Sequence, residues 1–171
     1  MPYNNTYENL SYNDRTILWK EIAVRELLKV KMFAGLSDEV LSTIKWVGEE
    51  QTAEADEIIF MENSQGDYFF VLLEGLVEIV FANPVKSDEP ISLAKVSSHE
   101  VFGEFCLFDD SPRSATARTI VKSRFLTFKK AEVLSLFDQK PRIGMIVMKI
   151  SGRILCSRLR DTDMNLRNSL L

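Results

Sequence analysis

The sequence predicts an α+β fold in which a barrel or jelly roll of short strands is flanked by helices. Residues 50–128 contain several short segments rich in β-branched and aromatic residues, divided by clusters of turn residues. On both sides of this region, apolar residues recur at helical spacing instead. With 171 residues, of which 46% are hydrophobic and 27% charged, the chain is expected to form one globular domain over residues 14–171.

The N-terminal region is expected to hold a mobile arm and two helices. Residues 1–13 mix Asn, Tyr and Ser without a period, which is typical of a mobile arm. Asp14 suits the N-cap of the first helix, and after a turn at Gly35 the second helix opens at Ser37 and runs to about Trp46. The first helix is predicted from apolar residues at helical spacing, namely Ile17, Leu18, Ile22, Leu27, Leu28 and Val30.

The central region is predicted to form strands, and helices follow it. The predicted strands have the sequences EIIFME, YFFVLLEG, LVEIVFA, ISLAKV and SRFLTFKK. Turn clusters NSQGD, ANPVKSDEP and VSSHE separate them. A short helix is expected over about 130–137 and a long one over about 141–166, with Pro141 in a first turn that tolerates proline.

The long helix has two apolar faces. One contains Met145, Met148, Gly152, Leu155, Leu159, Thr162 and Leu166, and the other contains Ile143, Val147, Ile150 and Ile154. A helix with two apolar faces needs two partners, which we expect to be its own roll and the same helix of a second subunit in a homodimer. The alternative is a helix buried between elements of its own chain. Gly144 and Gly152 would either permit a close approach or a bend, or simply be tolerated.

Composition excludes several classes of protein. No apolar run approaches the ~20 residues of a membrane helix and no signal core is present, so we expect a cytoplasmic protein made without a leader. Cys106, Cys156 and His99 are too few for a disulfide scaffold or a Cys/His zinc site. Residues 1–111 carry 8 Lys and Arg against 21 Asp and Glu, whereas residues 112–171 carry 13 against 4. The basic third could attract an anion or be a solvated basic helix.

The segment FGEFCLFDDSPRSATAR at residues 102–118 carries the candidate chemistry. Arg113, fixed after a proline and followed by small residues, has little predicted steric cover and suits a phosphate. Glu104 accepts hydrogen bonds when ionised and suits a sugar hydroxyl. Together they describe a site for a nucleotide monophosphate. The alternatives are that Arg113 bridges Asp109 or Asp110, and that Glu104 is a solvated acid at a strand end.

This segment resembles the phosphate-binding cassette of the cyclic-nucleotide-binding domain family. The shared pattern is FGE, two apolar or small residues, Leu, a four-residue loop, and PR followed by a small residue, Ala and Thr or Ser. LLKVKMFAGLSDEVLSTI and EIIFMENSQGDYFFVLLEGLVEIV extend the resemblance over about residues 27–160. It implies a β-roll, or double-stranded β-helix jelly roll, with N-terminal helices and a long C-terminal helix, as in the sensor domains of catabolite activator proteins and protein kinase A regulatory subunits.

The resemblance also implies roles for individual residues. Arg113 would pair with the cyclic phosphate, and Glu104 would accept the ribose 2′-hydroxyl. Phe105 is bulkier than the family's usual aliphatic residue and could narrow the pocket. Backbone or hydroxyl donors would come from Gly103, Cys106, Ser114 and Ala115, the apolar lining from Ile79, Leu93 and Val96, and the base contacts from Ser157, Arg158 and Asp161 on the long helix.

Three residues depart from glycines that are common in the family. Asp56, Asn63 and His99 stand at these positions. Asn, Asp and His are the non-glycine residues that most readily adopt positive φ, so we expect each to keep a turn. His99 is therefore interpreted as a turn residue rather than a ligand, and Cys106 as a packed residue rather than a reactive one.

The predicted function is that of a non-enzymatic sensor of cAMP or cGMP, without a cofactor, that acts through rearrangement of its C-terminal helix on an unidentified protein partner. No Ser-His-Asp set, metal cluster or acid pair indicates catalysis. One alternative is a regulator of the catabolite-activator type, but only NLRNSLL follows the long helix, so no DNA-binding module and no specific DNA or membrane contact are expected. The other is a degenerate interaction scaffold that no longer binds nucleotide.

Overall fold

Eight strands form two antiparallel sheets in the computed structural model, which describes residues 24–83 and 90–169. One sheet has the order β1-β8-β3-β6 and the other the order β2-β7-β4-β5. The α+β class with a β-roll is therefore confirmed. The strands are β1 (Gly48–Ala53), β2 (Ile58–Phe60), β3 (Tyr68–Glu74), β4 (Leu76–Phe81), β5 (Ile91–Ser97), β6 (Val101–Phe102), β7 (Thr116–Thr119) and β8 (Ser123–Lys129).

Helices flank the two sheets. Residues 24–28 are helical and lead into a 3-10 turn at Lys31–Phe33. The longer helices are α1 (Asp38–Trp46), α2 (Lys130–Gln139) and α3 (Pro141–Ser169), so α2 and α3 end a few residues beyond the predicted positions. The turn before α1 has Gly35 at φ +82°. The predicted arm and the predicted helix start at Asp14 lie outside the described residues.

Strand β3 divides the core into two clusters. Its residues Phe69, Val71 and Leu73 belong to a cluster packed among the helices, whereas Phe70 and Leu72 belong to a second cluster built by residues of both sheets. Because side chains alternate across a strand, burial on both faces requires the continuous apolar run YFFVLL rather than an alternating one. The roll is thus fixed to the helices and to its second sheet through the same strand.

Helix α3 places one of its two predicted apolar faces on its own chain. Ile143 and Val147 are buried in the helical cluster, and Ile154 packs against it. On the other face, Met145 is 65% exposed and Leu159 is 62% exposed. The described structure therefore gives one face a partner within the chain, and the proposed homodimer contact remains a prediction for the other.

The three turn residues adopt the predicted conformation. Asp56, Asn63 and His99 have φ values of 61°, 64° and 69°. His99 also places its Nε2 2.6 Å from Glu26 Oε2, which ties the turn between β5 and β6 to the N-terminal helical residues. These residues retain the conformation that glycine would provide.

The two glycines of α3 predict opposite effects of alanine. A Cβ on Gly144 would lie 2.7 Å from the Cβ of Phe137, whereas a Cβ on Gly152 would meet nothing within 4 Å. Gly144→Ala should destabilise the fold by about 1–3 kcal/mol through overpacking, and Gly152→Ala should stabilise it by about 1 kcal/mol through helix propensity. Urea unfolding followed by circular dichroism measures both, and a Gly144→Ala variant as stable as wild type would contradict the close approach.

Candidate functional site

The candidate site is built on the connection from β6 to β7. Gly103 has φ +68° and starts the 3-10 helix Glu104–Leu107. The returning loop is held by its backbone, since Arg113 N donates to Ser64 O at 2.8 Å and Asn63 N donates to Arg113 O at 2.8 Å. A Cβ at position 103 would lie 2.8 Å from Arg113 Nη1, so glycine supplies both the turn and the room for the guanidinium.

The Arg113 guanidinium is buried rather than open. The residue is only 7% exposed, and the Phe60 ring lies against the guanidinium with its centroid 4.2 Å from Cζ. Nη1 donates to Gly103 O at 2.8 Å, and Nη2 donates to Tyr68 O. The expectation of little steric cover is therefore wrong, because aromatic residues from β2 and β3 cover a side chain whose immediate neighbours in sequence are small.

No acid neutralises Arg113 within the described part of the chain. No carboxylate oxygen there lies within 4.0 Å of its nitrogens, and its buried Nε has no hydrogen-bond partner. Asp110 instead pairs with Lys130 at 2.7 Å, and Lys130 also donates to Asp109 O at 3.0 Å, so the predicted alternative of a bridge from Arg113 to these acids is wrong. Burial lowers the pKa of Arg113, but a guanidinium remains ionised in proteins. A buried cation with an unmet N–H donor suits an anionic ligand.

Glu104 is buried and already has a partner. It is 3% exposed, so it is not a solvated acid at a strand end. Arg158 Nη1 of α3 donates to Glu104 Oε1, and Arg158 Nη2 donates to Val101 O at 3.1 Å. Burial raises the pKa of Glu104, although the charge of Arg158 opposes the shift. The carboxylate predicted to accept a sugar hydroxyl is thus held by the C-terminal helix in this structure.

The other residues predicted for the site have different environments. Cys106 is buried with its Sγ 3.5 Å from Tyr68 O, and burial raises the pKa of its thiol, which favours a packed and protonated side chain. Ala115 is buried, whereas Ser114 and Phe105 are exposed. Of the three predicted lining residues, Val96 is buried and Ile79 packs beside it in the cluster between the sheets, but Leu93 is 56% exposed.

A cavity of about 810 Å³ lies beside this site, between α3, residues 29–32 and the turn from β5 to β6. Glu104, Ser157, Arg158 and Asp161 all line it. The structure therefore brings the predicted acceptor together with the predicted residues of the long helix. Arg113 is separate from this lining, as are Ile79, Leu93 and Val96.

Several contacts at the site were not predicted from the sequence. These are the Phe60 ring on Arg113, the Tyr68 carbonyl that accepts from it, the Lys130 clamp on the acidic loop and the pairing of Arg158 with Glu104. Each joins residues far apart in the chain, and the sequence carries no local signal for such pairs. Among the described residues, no group of three or more His, Cys, Asp or Glu could hold a metal, and no helix is long and apolar enough to cross a bilayer.

Known proteins resemble the chain in sequence and structure. A "CRP-like cAMP-activated global transcriptional regulator" of Mycobacterium tuberculosis is 29% identical over 108 residues, which are 63% of this chain and 46% of the regulator. A cyclic nucleotide-gated potassium channel of Mesorhizobium japonicum is 27% identical over 143 residues, or 84% of this chain and 36% of the channel. The chain thus spans less than half the length of these curated relatives.

Solved structures and a family model also match. A cyclic nucleotide-binding domain from Methylobacillus flagellatus has a TM-score of 0.77 at 23% identity, covering 90% of this chain and 85% of that domain, which shows a shared fold. The N-terminal domain of a transcriptional regulator from Streptomyces coelicolor has a TM-score of 0.68 at 27% identity, covering 80% of this chain and 94% of that one. The model "Cyclic nucleotide-binding domain" matches residues 50–140, which include both sheets and the Arg113 loop. Since that match extends over more than half of the chain, the resemblance is confirmed and the chain belongs to the cyclic nucleotide-binding domain family.

Proposed function

We propose that this protein is a non-enzymatic sensor that binds cAMP or cGMP and passes the signal to a protein partner in the cytoplasm. One observation carries the proposal: Arg113 is a buried cation without an acid partner among the described residues, at the phosphate position of the family pattern. Two of its five N–H groups are donated to the carbonyls of Gly103 and Tyr68. The remaining donors are those that we assign to the cyclic phosphate.

The rest of the ligand is assigned by continuity from Arg113. Glu104 is the proposed acceptor of the ribose 2′-hydroxyl, because it is a buried carboxylate one residue after the Gly103 carbonyl that Arg113 binds. The base would lie toward Ser157 and Asp161, which line the cavity beside Glu104. Backbone donors would come from Gly103, Phe105, Cys106, Ser114 and Ala115, and apolar contacts from Ile79, Leu93 and Val96.

The choice between the two nucleotides has support on both sides. The mycobacterial relative is described as cAMP-activated. Ser114 is exposed and offers a hydroxyl at a position where family members that prefer cGMP often have one. The proposed site donates hydrogen bonds to a phosphate and assigns no nucleophile or cofactor to it, so binding rather than cleavage is proposed. Helix α3 is the proposed element through which occupancy is read.

Arg113 gives the direct test of this proposal. Arg113→Ala should weaken binding of the preferred nucleotide by about 30-fold to several thousand-fold, because truncating one member of a buried charge pair costs about 2–5 kcal/mol. Calorimetry with cAMP and cGMP in parallel measures the change. Arg118→Ala is the matched control, since Arg118 lies on the neighbouring strand and pairs with Glu78 rather than with the site.

Two outcomes would contradict the assignment. Unchanged affinity in Arg113→Ala, with wild-type circular dichroism, would show that the phosphate binds elsewhere. Absence of any thermal shift of the wild-type protein with millimolar cAMP or cGMP would instead favour an interaction scaffold without nucleotide binding.

The outward face of α3 tests the proposed homodimer. Leu155→Glu combined with Leu159→Glu should give a monomer by light scattering, because two charges would enter an apolar contact. Met164 is also exposed, but at 100° per residue it lies on the opposite side of the helix. Met164→Glu is therefore a control of the same chemistry and should leave the mass unchanged. A wild-type monomer at all concentrations would contradict the dimer.

Burial of Glu104 predicts a pH dependence of stability. Its pKa is raised, so the folded protein holds this proton more tightly than the unfolded chain does. The resulting stabilisation is complete below the ordinary pKa of glutamate and is lost as pH rises through the raised pKa. Across that window, the free energy of unfolding of the wild type should fall relative to that of Glu104→Gln. Urea unfolding at a series of pH values measures the difference, and parallel profiles would contradict the prediction.

A further inference from the structure

Arg158 joins the C-terminal helix to the roll at the residue assigned to the ribose. Its guanidinium donates to Glu104 Oε1 through Nη1 and to Val101 O at 3.1 Å through Nη2. Within residues 24–83 and 90–169, this is the ion pair that connects α3 to the sheets. We call these two contacts the latch.

We propose that Arg158 is a tethered competitor of the ligand: in the unliganded protein the latch occupies Glu104, and the ribose hydroxyl must displace Arg158 to bind. The inference rests on the proposed function and adds a regulatory step to the same site. It also replaces the expected role of Arg158 as a base contact. Ligand binding then releases α3 at this point, rather than drawing the helix onto an open site.

Burial shows why the two donors compete. With Arg158 in place, only 5% of the Glu104 side chain is exposed, whereas 45% of the Arg158 side chain is exposed. The carboxylate therefore has almost no free surface for a second donor, while the guanidinium can turn into solvent when it is displaced. The cavity walls include both residues, so the displaced side chain also has space beside the site.

Charge shows why the competition has a cost for the ligand. An ionised carboxylate in a buried position needs hydrogen-bond donors. Arg158 supplies a charged donor, and a ribose hydroxyl supplies a neutral one, which forms the weaker bond. The ligand must therefore obtain its net affinity from the phosphate at Arg113. Because coupling between two events is reciprocal, whatever weakens the latch strengthens binding by the same factor.

The proposal predicts the sign of a single substitution. Arg158→Gln keeps a polar side chain but loses the charge, and it should bind cAMP or cGMP about 5- to 30-fold more tightly than wild type, within the usual range of coupling between sites. A base-contacting Arg158 would give weaker binding instead. Arg160→Gln is the matched control, because Arg160 is exposed on the same helix two residues later, and its affinity should equal that of wild type.

Amide hydrogen exchange tests the latch without ligand. In Arg158→Gln, the amides of residues 150–165 should exchange faster than in wild type, while those of β3 and β8 stay protected; Arg160→Gln should match wild type. Glu104→Gln should show the same faster exchange but no gain in affinity, since it loses both the latch and the acceptor. In wild type, saturating nucleotide should also raise exchange over residues 150–165.

The outcomes separate this proposal from the proposed function. If wild type binds nucleotide but Arg158→Gln binds it equally or less tightly, the competitor role is overturned and the site assignment stands. Unchanged exchange over residues 150–165 in Arg158→Gln would overturn the latch whatever the affinity. If neither wild type nor Arg158→Gln binds either nucleotide, both proposals are overturned together.

Discussion

The placement of one buried guanidinium organises the site. Arg113 lies under the Phe60 ring and donates to the carbonyls of Gly103 and Tyr68, so its position depends on β2, β3 and the end of β6 at once. Carbonyls orient a guanidinium without cancelling its charge, whereas a carboxylate would do both. The fold therefore keeps the Arg113 cation in a defined orientation and leaves its charge uncompensated within the described residues.

This arrangement needs a rigid support, which the doubly buried strand β3 provides. Phe69 and Phe128 stack with centroids 4.9 Å apart in the helical cluster, and Phe70 and Phe102 stack 5.0 Å apart in the cluster between the sheets. Since Phe102 directly precedes Gly103, the second cluster also fixes the start of the loop that Arg113 binds. Packing and binding geometry are thus joined through adjacent residues of the chain.

Local patterns were sufficient for the fold class and for the positive-φ turns, but not for the pairing of charges. The run YFFVLL and the helical periods depend on near neighbours, so they could be interpreted from the sequence. Strand β1 was not among the predicted strand segments, because most of its GEEQTA side chains are exposed and its place is set by pairing with β8. The partners of Glu104 and Arg113 come from other elements, and only the folded arrangement identifies them.

The sum of charges around Glu104 bears on which anion fits. Arg113 and Arg158 contribute two positive charges and Glu104 one negative charge, so the unliganded group carries one excess positive charge at neutral pH. A cyclic phosphate is a diester with a single negative charge, and it would bring the sum to zero. A phosphate monoester carries about −1.5 to −2 at pH 7 and would leave uncompensated negative charge in a buried place. The charges of these three side chains therefore favour a cyclic over a linear nucleotide, independently of how α3 moves.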